Sequence, residues 1–394
     1  MAFGTLAGAA LVGAAPAGAG PRAVPLAPGV TYEEFDIEAA HGVAHAHVLR
    51  VDLRDPHVRV ELLHPGAVAA RAPVSRMADA EGAVAGVNGD FFNISEAQHP
   101  GVEATGASVG PAIARGRVLK AAVPQGQRFG PALPPGTSTE DVLAVGTDRR
   151  ARLDRLALAG SVRTPQGRLP LGGLNQYALP VGSVGAFTAA WGSASRVRAT
   201  CGTDTDRAAP CSTDTYEVTV RRGRVVSAAE APGSGPIAPG TTVLVGREAG
   251  ARRLRSLHTG ERVRVRHRLV AAASRTPYRF ALGGYPVLTG GRPLPGLDDP
   301  ASAVRTCAGV ADGGRRLLLL ALDGAPEHRR GLTIAEVADA MRRLGATDAF
   351  SLDGGGSSTL VARDPGAAAV TVRNHPSGGA ERAVPNGIGV FSGP

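Results

Sequence analysis

The chain has 394 residues, 43% apolar and 20% charged, with 54 glycines, 30 prolines and a formal charge of +9. This balance excludes wholesale disorder, and the lack of a Gly-X-Y period excludes collagen; it predicts about two or three domains rich in turns. No stretch after the N-terminus reaches the roughly 18 uninterrupted apolar residues of a membrane-crossing helix, and no heptad or longer repeat is visible.

Arginine supplies nearly all the positive charge, because Lys120 is the single lysine. The arginines are scattered or alternate as on a strand (Arg262, Arg264, Arg266, Arg268). Aromatic residues make up only 4% of the chain, which leaves few platforms for stacked bases. Nucleic acid is therefore not the expected partner.

The first 20 residues are small and apolar, with Ala15-Pro16-Ala17 resembling a cleavage zone. Together with a linker at Pro21–Pro28 they predict a signal-like segment over 1–28 and a secreted or wall-associated protein. Alternation from Val43 to Leu63, broken at Asp55-Pro56, predicts two strands. Residues 71–83 predict a short helix, and Val84–Val87 a strand that ends in Asn88-Gly89-Asp90-Phe91-Phe92. A hairpin centred on Arg115-Gly116 follows over 107–123.

Residues 141–275 read as short strands only, with turns every 8–12 residues: a β-rich inserted subdomain. Cys201 and Cys211 flank a polar loop there and would close it in an oxidising compartment. Cys307 sits in an apolar run and reads as an inert buried thiol.

The chain changes character near 276. Residues 316–323 form an apolar run ending in Asp323, the pattern of a strand buried on both faces. Thr333 and Glu336 make a capping box for a helix over 333–344, which Gly345 stops. Residues 349–353 return as a second buried strand ending in Asp353. Strand, helix, strand predicts a βαβ unit with parallel strands. The expected fold is thus an α/β catalytic domain with a mixed sheet, built from 29–140 and 276–394, around the β-rich insertion.

Parallel strands place their carboxyl ends on one rim, where ligands bind in open α/β folds. Asp323 and Asp353 would then share a mouth, about 4.8 Å apart at the strand axes if the strands are neighbours. An Asp-Gly turn explains Asp323 equally well. Gly354, Gly355 and Gly356 could aim successive N–H groups at one anion, while the absence of a following lysine excludes a Walker loop. Arg305 offers a planar fork for phosphate or carboxylate. Paired carboxylates at a strand edge suit magnesium or calcium, although nothing in the sequence requires a cofactor. His41, His45 and His47 form no H-x-x-x-H motif with a glutamate, and no G-x-S-x-G elbow marks a serine hydrolase.

Taken in order, Asn88-Gly89-Asp90-Phe91-Phe92, Leu282-Gly283-Gly284-Tyr285-Pro286-Val287-Leu288, Arg305-Thr306, Leu322-Asp323-Gly324, Gly331-Leu332-Thr333, Leu352-Asp353-Gly354-Gly355-Gly356-Ser357 and Val384-Pro385-Asn386-Gly387 resemble the phosphodiester glycosidase family. The resemblance runs from about 84 to 392 and is densest after 280. It implies an α/β catalytic domain with a β-rich insertion, and hydrolysis of a sugar–phosphate diester at the sugar side. It carries over onto Asn88, Gly89, Phe92, Arg305, Thr306, Asp323, Asp353, the three glycines, Ser357 and Asn386. Asp90 stands where the family varies.

On this basis Asp353 is the first catalytic candidate, with Asp323 as its partner and Arg305 on the phosphate. Asn88, Gly89, Asp90, Thr306, Gly354, Gly355, Gly356, Ser357 and Asn386 are expected to bind a glycosyl phosphodiester or an anionic polysaccharide. Two other readings stay open: an ordinary glycoside hydrolase acting on wall or capsule polysaccharide, and a non-catalytic carbohydrate-binding wall protein.

Overall fold

A computed structural model describes residues 23–298 and 300–393; the signal-like stretch at the N-terminus lies outside the described residues. The structure is mostly strand, about 40% against 10% helix. The mixed α/β expectation is therefore corrected toward β.

The correction originates in the main sheet. Its eight strands run in the order Val24–Ala27, Val30–Ala39, Gly42–Asp52, Arg316–Leu322, Thr306–Ala311, Asp348–Ser351, Tyr285–Thr289, Arg292–Pro293, and every neighbouring pair is antiparallel. Arg316–Leu322 and Asp348–Ser351 do run in the same direction, as the strand–helix–strand pattern requires. They are not neighbours, because Thr306–Ala311 lies between them and pairs with both. That strand reaches its place through a tight turn at Asp312-Gly313-Gly314, where all three residues have positive φ. The first strand also corrects the linker expected at Pro21–Pro28, since Val24–Ala27 forms the sheet edge, a position that tolerates Pro25.

Alternation sends the side chains of Arg316–Leu322 into two cores. Leu318, Leu320 and Leu322 meet Ile334, Val337, Ala338 and Met341 of the helix Ile334–Arg343. The Thr333–Glu336 capping box forms as the sequence predicts, with Thr333 Oγ1 accepting from Glu336 N and Glu336 accepting from Thr333 N. Burying the Ile, Val and Met side chains contributes roughly 1.5–3 kcal/mol each. Gly309 makes room for the helix, because a Cβ there would stand 2.5 Å from Met341 Cε.

Leu317, Leu319 and Ala321 face the other way, onto a five-stranded sheet of Thr371–Val372, Leu360–Ala362, Ala85–Asn88, Gly387–Ser392 and Val58–Leu63. The catalytic candidates lie where these two sheets end together.

The middle of the chain adds two more sheets. Asp141–Gly146 pairs with Tyr278–Gly283 on one side and with Ala151–Thr164 on the other. A five-stranded sheet spanning 173–247 packs against this one through Val162, Leu171, Val218 and Leu244. It contains Gly173–Leu174 beside Gly185–Ala186, the only parallel pairing among the described residues. The expectation of short strands only is corrected twice: Ala151–Thr164 is 14 residues long, and Ala249–Arg255 is a helix. Cys201 and Cys211 form a disulfide.

Candidate active site

Asn88 ends the strand Ala85–Asn88, and its buried side chain locks two loops together. Its Nδ2 donates to the Asp353 carbonyl at 2.7 Å, and its Oδ1 accepts from Thr306 Oγ1 at 2.8 Å and Thr359 N at 3.0 Å. Asp353 N in turn donates to Gly89 O at 2.9 Å. Asn386 closes the arrangement by accepting from Asp90 N through Oδ1 at 2.9 Å. Gly89 is required there, because a Cβ would collide with that Asn386 oxygen. Six residues singled out by sequence thus converge: Asn88, Gly89, Asp90, Thr306, Asp353 and Asn386.

Asp353 follows the strand Asp348–Ser351 and is partly exposed. Burial pushes its pKa up to about 6; Ser357 and Arg382 oppose this, and nearby Asp90 adds to it. Arg382 donates to Ser357 Oγ at 3.2 Å and lies over Gly356 where a side chain would otherwise project. Nothing in its sequence context set Arg382 apart from the other arginines.

The carboxylate that interacts electrostatically with Asp353 is Asp90. Its Oδ2 accepts from Gly110 N at 2.6 Å, while its buried Oδ1 has no hydrogen-bond partner. Burial raises the pKa of Asp90, and the positive charges of Lys120 and Arg128 hold it back. Lys120 is itself buried, with the carbonyls of Val109, Gly110 and Ala121 accepting from its Nζ; they match the three N–H groups of an ammonium. Its being the sole lysine was the available signal. Arg128 lies over the rings of Phe91 (5.1 Å) and Tyr285 (5.7 Å), and the buried Tyr285 hydroxyl has no partner.

Three sequence expectations are corrected here. Asp323 does not lie on a strand next to that of Asp353. One strand separates the two, so their strand axes stand roughly 9.6 Å apart rather than 4.8 Å. Asp323 Oδ2 is held by His47 Nε2 (3.2 Å) and by His375 N and Nδ1 (3.1 and 2.9 Å), and its Oδ1 by Ala325 N. These bonds bring its pKa down to about 2 against the opposing effect of burial. The carboxylate pair that suited magnesium or calcium is therefore not brought together.

The glycine nest is largely spent as well. Gly354 N bonds the Asp353 carboxylate and Gly355 N bonds Val304 O, so of these three N–H groups only that of Gly356 has no partner among the described residues. Arg305 is half-committed: its Nε donates to Leu332 O and its Nη2 to Ala301 O.

Residues 214–391 match the model of the phosphodiester glycosidase family. The resemblance holds: over these residues the chain is phosphodiester-glycosidase-like. The match takes in Arg305, Thr306, Asp353, Arg382 and Asn386, and leaves Asn88 and Asp90 outside it. No curated protein matches the chain.

Among solved structures, a hypothetical protein from Synechocystis superposes with a TM-score of 0.71 at 19% identity, over 95% of this chain and 64% of that one. The chain therefore spans just under two thirds of that neighbour, and the likeness is one of fold. A Burkholderia pseudomallei K96243 protein described as a "putative exported protein" gives 0.66 at 25% identity, over 89% and 74%. The zebrafish N-acetylglucosamine-1-phosphodiester alpha-N-acetylglucosaminidase catalytic domain, auto-inhibited by its pro-peptide, aligns at 0.45 and 14% over 92% and 83%, too loosely to argue from. No helix among the described residues is long and apolar enough to cross a membrane.

Proposed function

We propose that the protein is a phosphodiester glycosidase that cleaves a glycosyl phosphodiester on the sugar side, releasing a free sugar and a phosphomonoester. The observation that carries this is Asp353: a partly open carboxylate with a pKa near 6, within the electrostatic reach of Arg382, in a loop covered by the family match. A phosphomonoester has a second pKa of about 6 and departs as a stable anion, so the leaving group needs little help from an acid. One ionised carboxylate can then do the essential work, as nucleophile or as the base for water.

Arg382 and the unspent Gly356 N–H supply positive charge beside Asp353, suited to the phosphate as its bond to the sugar breaks. Asp90 acts through Asp353, raising its pKa. Asp323 has a structural part in this scheme. Secretion belongs to the same proposal, and the Cys201–Cys211 disulfide fits an oxidising compartment.

Asp353→Asn is expected to lower turnover of a glycosyl phosphodiester about a thousandfold, with the melting temperature within a few degrees of wild type. Unchanged turnover would refute the assignment. Hydrolysis of aryl glycosides in preference to phosphodiesters would favour an ordinary glycoside hydrolase instead.

A further inference from the structure

Four histidines, His45, His47, His328 and His375, gather near Asp323 on the main sheet. His45 and His47 are two residues apart on the strand Gly42–Asp52, so they share a face. The antiparallel register sets Asp36 opposite His45 and Glu34 opposite His47. His328 lies beside His45, with ring centroids 5.5 Å apart, and His375 joins His47 on Asp323. A strand brings two histidines to one face at i and i+2, and the carboxylate is supplied from across the ladder.

One ligand atom from each of Glu34, His45 and His47 lies within 4.8 Å of the others. Each imidazole already has one nitrogen gripped by a carboxylate. His45 Nδ1 meets Asp36 Oδ1 at 2.6 Å, and His47 Nε2 meets Asp323 Oδ2 at 3.2 Å. Carboxylates orient metal-binding histidines in this way, fixing the tautomer and presenting the other nitrogen. For His47 that nitrogen is Nδ1, which lies 3.7 Å from Glu34 Oε2 and 2.7 Å from the Tyr32 hydroxyl. His47 forms a buried wall and Glu34 is open to solvent, with side-chain exposures of 4% and 56%.

We infer that Glu34, His45 and His47 bind a divalent transition-metal ion of the zinc class, with Asp36 and Asp323 positioning the two imidazoles. Two imidazoles and one carboxylate favour zinc, nickel or copper over calcium or magnesium. Three protein ligands leave a fourth position for water. In a tetrahedral site with bonds near 2.1 Å the ligand atoms stand about 3.4 Å apart, so the cluster contracts on binding and the Tyr32 hydroxyl, which bridges Glu34 Oε2 (2.6 Å) and His47 Nδ1 (2.7 Å), gives way to the ion.

The test is a zinc titration of the full chain against a chromophoric chelator, under non-reducing conditions that keep Cys201 and Cys211 joined. One site per chain is expected. Glu34→Gln combined with His45→Asn should weaken it at least tenfold, and Asp36→Asn alone about tenfold. All three positions are at least partly exposed, so the melting temperature without metal should stay near that of wild type. Cobalt loading should give the absorption of a four-coordinate nitrogen–oxygen site. Absence of a stoichiometric site in the wild type, or undiminished affinity in the double variant, overturns the inference.

Discussion

At the scale of single residues, the proposed chemistry rests on Asp353 and Asp90. In the proposed role Asp353 works as a carboxylate whose pKa burial raises to about 6, so the turnover rate should rise with pH through about 6 and level off above it. Asp90→Asn removes a like charge beside it. The rising limb should then move to lower pH by a few tenths of a unit, while Asn at 90 can still accept from Gly110 N. A pH profile of kcat/KM checks both, and an unmoved limb would separate Asp90 from the site. The same shift acts on stability. The pKa of Asp353 is higher folded than unfolded, so ionisation costs the folded state stability as pH rises from about 4 to 6, by up to about 3 kcal/mol. Asp353→Asn should therefore melt slightly higher than wild type at pH 7 and equally at pH 4. Local sequence displays Asp353 among three glycines, but it does not display Arg382, whose partners are fixed by a loop that returns 25 residues later.

At the scale of elements, the helix Ile334–Arg343 was legible in full: cap, apolar face and stop all lie within a dozen residues. Its seat is non-local. Gly309 lies on a strand 25 or more residues upstream, and Gly309→Val should destabilise the protein by about 1–3 kcal/mol by overpacking against Met341. Chemical denaturation measures this, and no loss would mean that the helix stands farther from the sheet. The strand-order error has a similar origin. Strand, helix, strand fixes the relative direction of the flanking strands, which was right, but not whether another strand is inserted between them. Thr306–Ala311 is short, small and apolar, and its pairings on both sides depend on the turn at Asp312-Gly313-Gly314. That one insertion moves Asp323 away from Asp353.

At the scale of the whole molecule, the Asn88 hub joins the ends of two sheets, each built from both N-terminal and C-terminal strands. Asn88–Thr306 spans 218 positions and Asn88–Asp353 spans 265. No periodicity reports such a contact; only the ordered motifs did, through family resemblance. The disulfide, by contrast, was readable from spacing. Opening it with Cys201→Ser and Cys211→Ser together should cost roughly 2–3 kcal/mol in thermal or denaturant unfolding.

The central claim is the site of bond cleavage, and hydrolysis of a glycosyl phosphodiester in oxygen-18 water tests it most directly. Attack at the sugar carbon predicts a phosphomonoester free of label by mass spectrometry. Label in the phosphomonoester would mean attack at phosphorus, and would contradict the account.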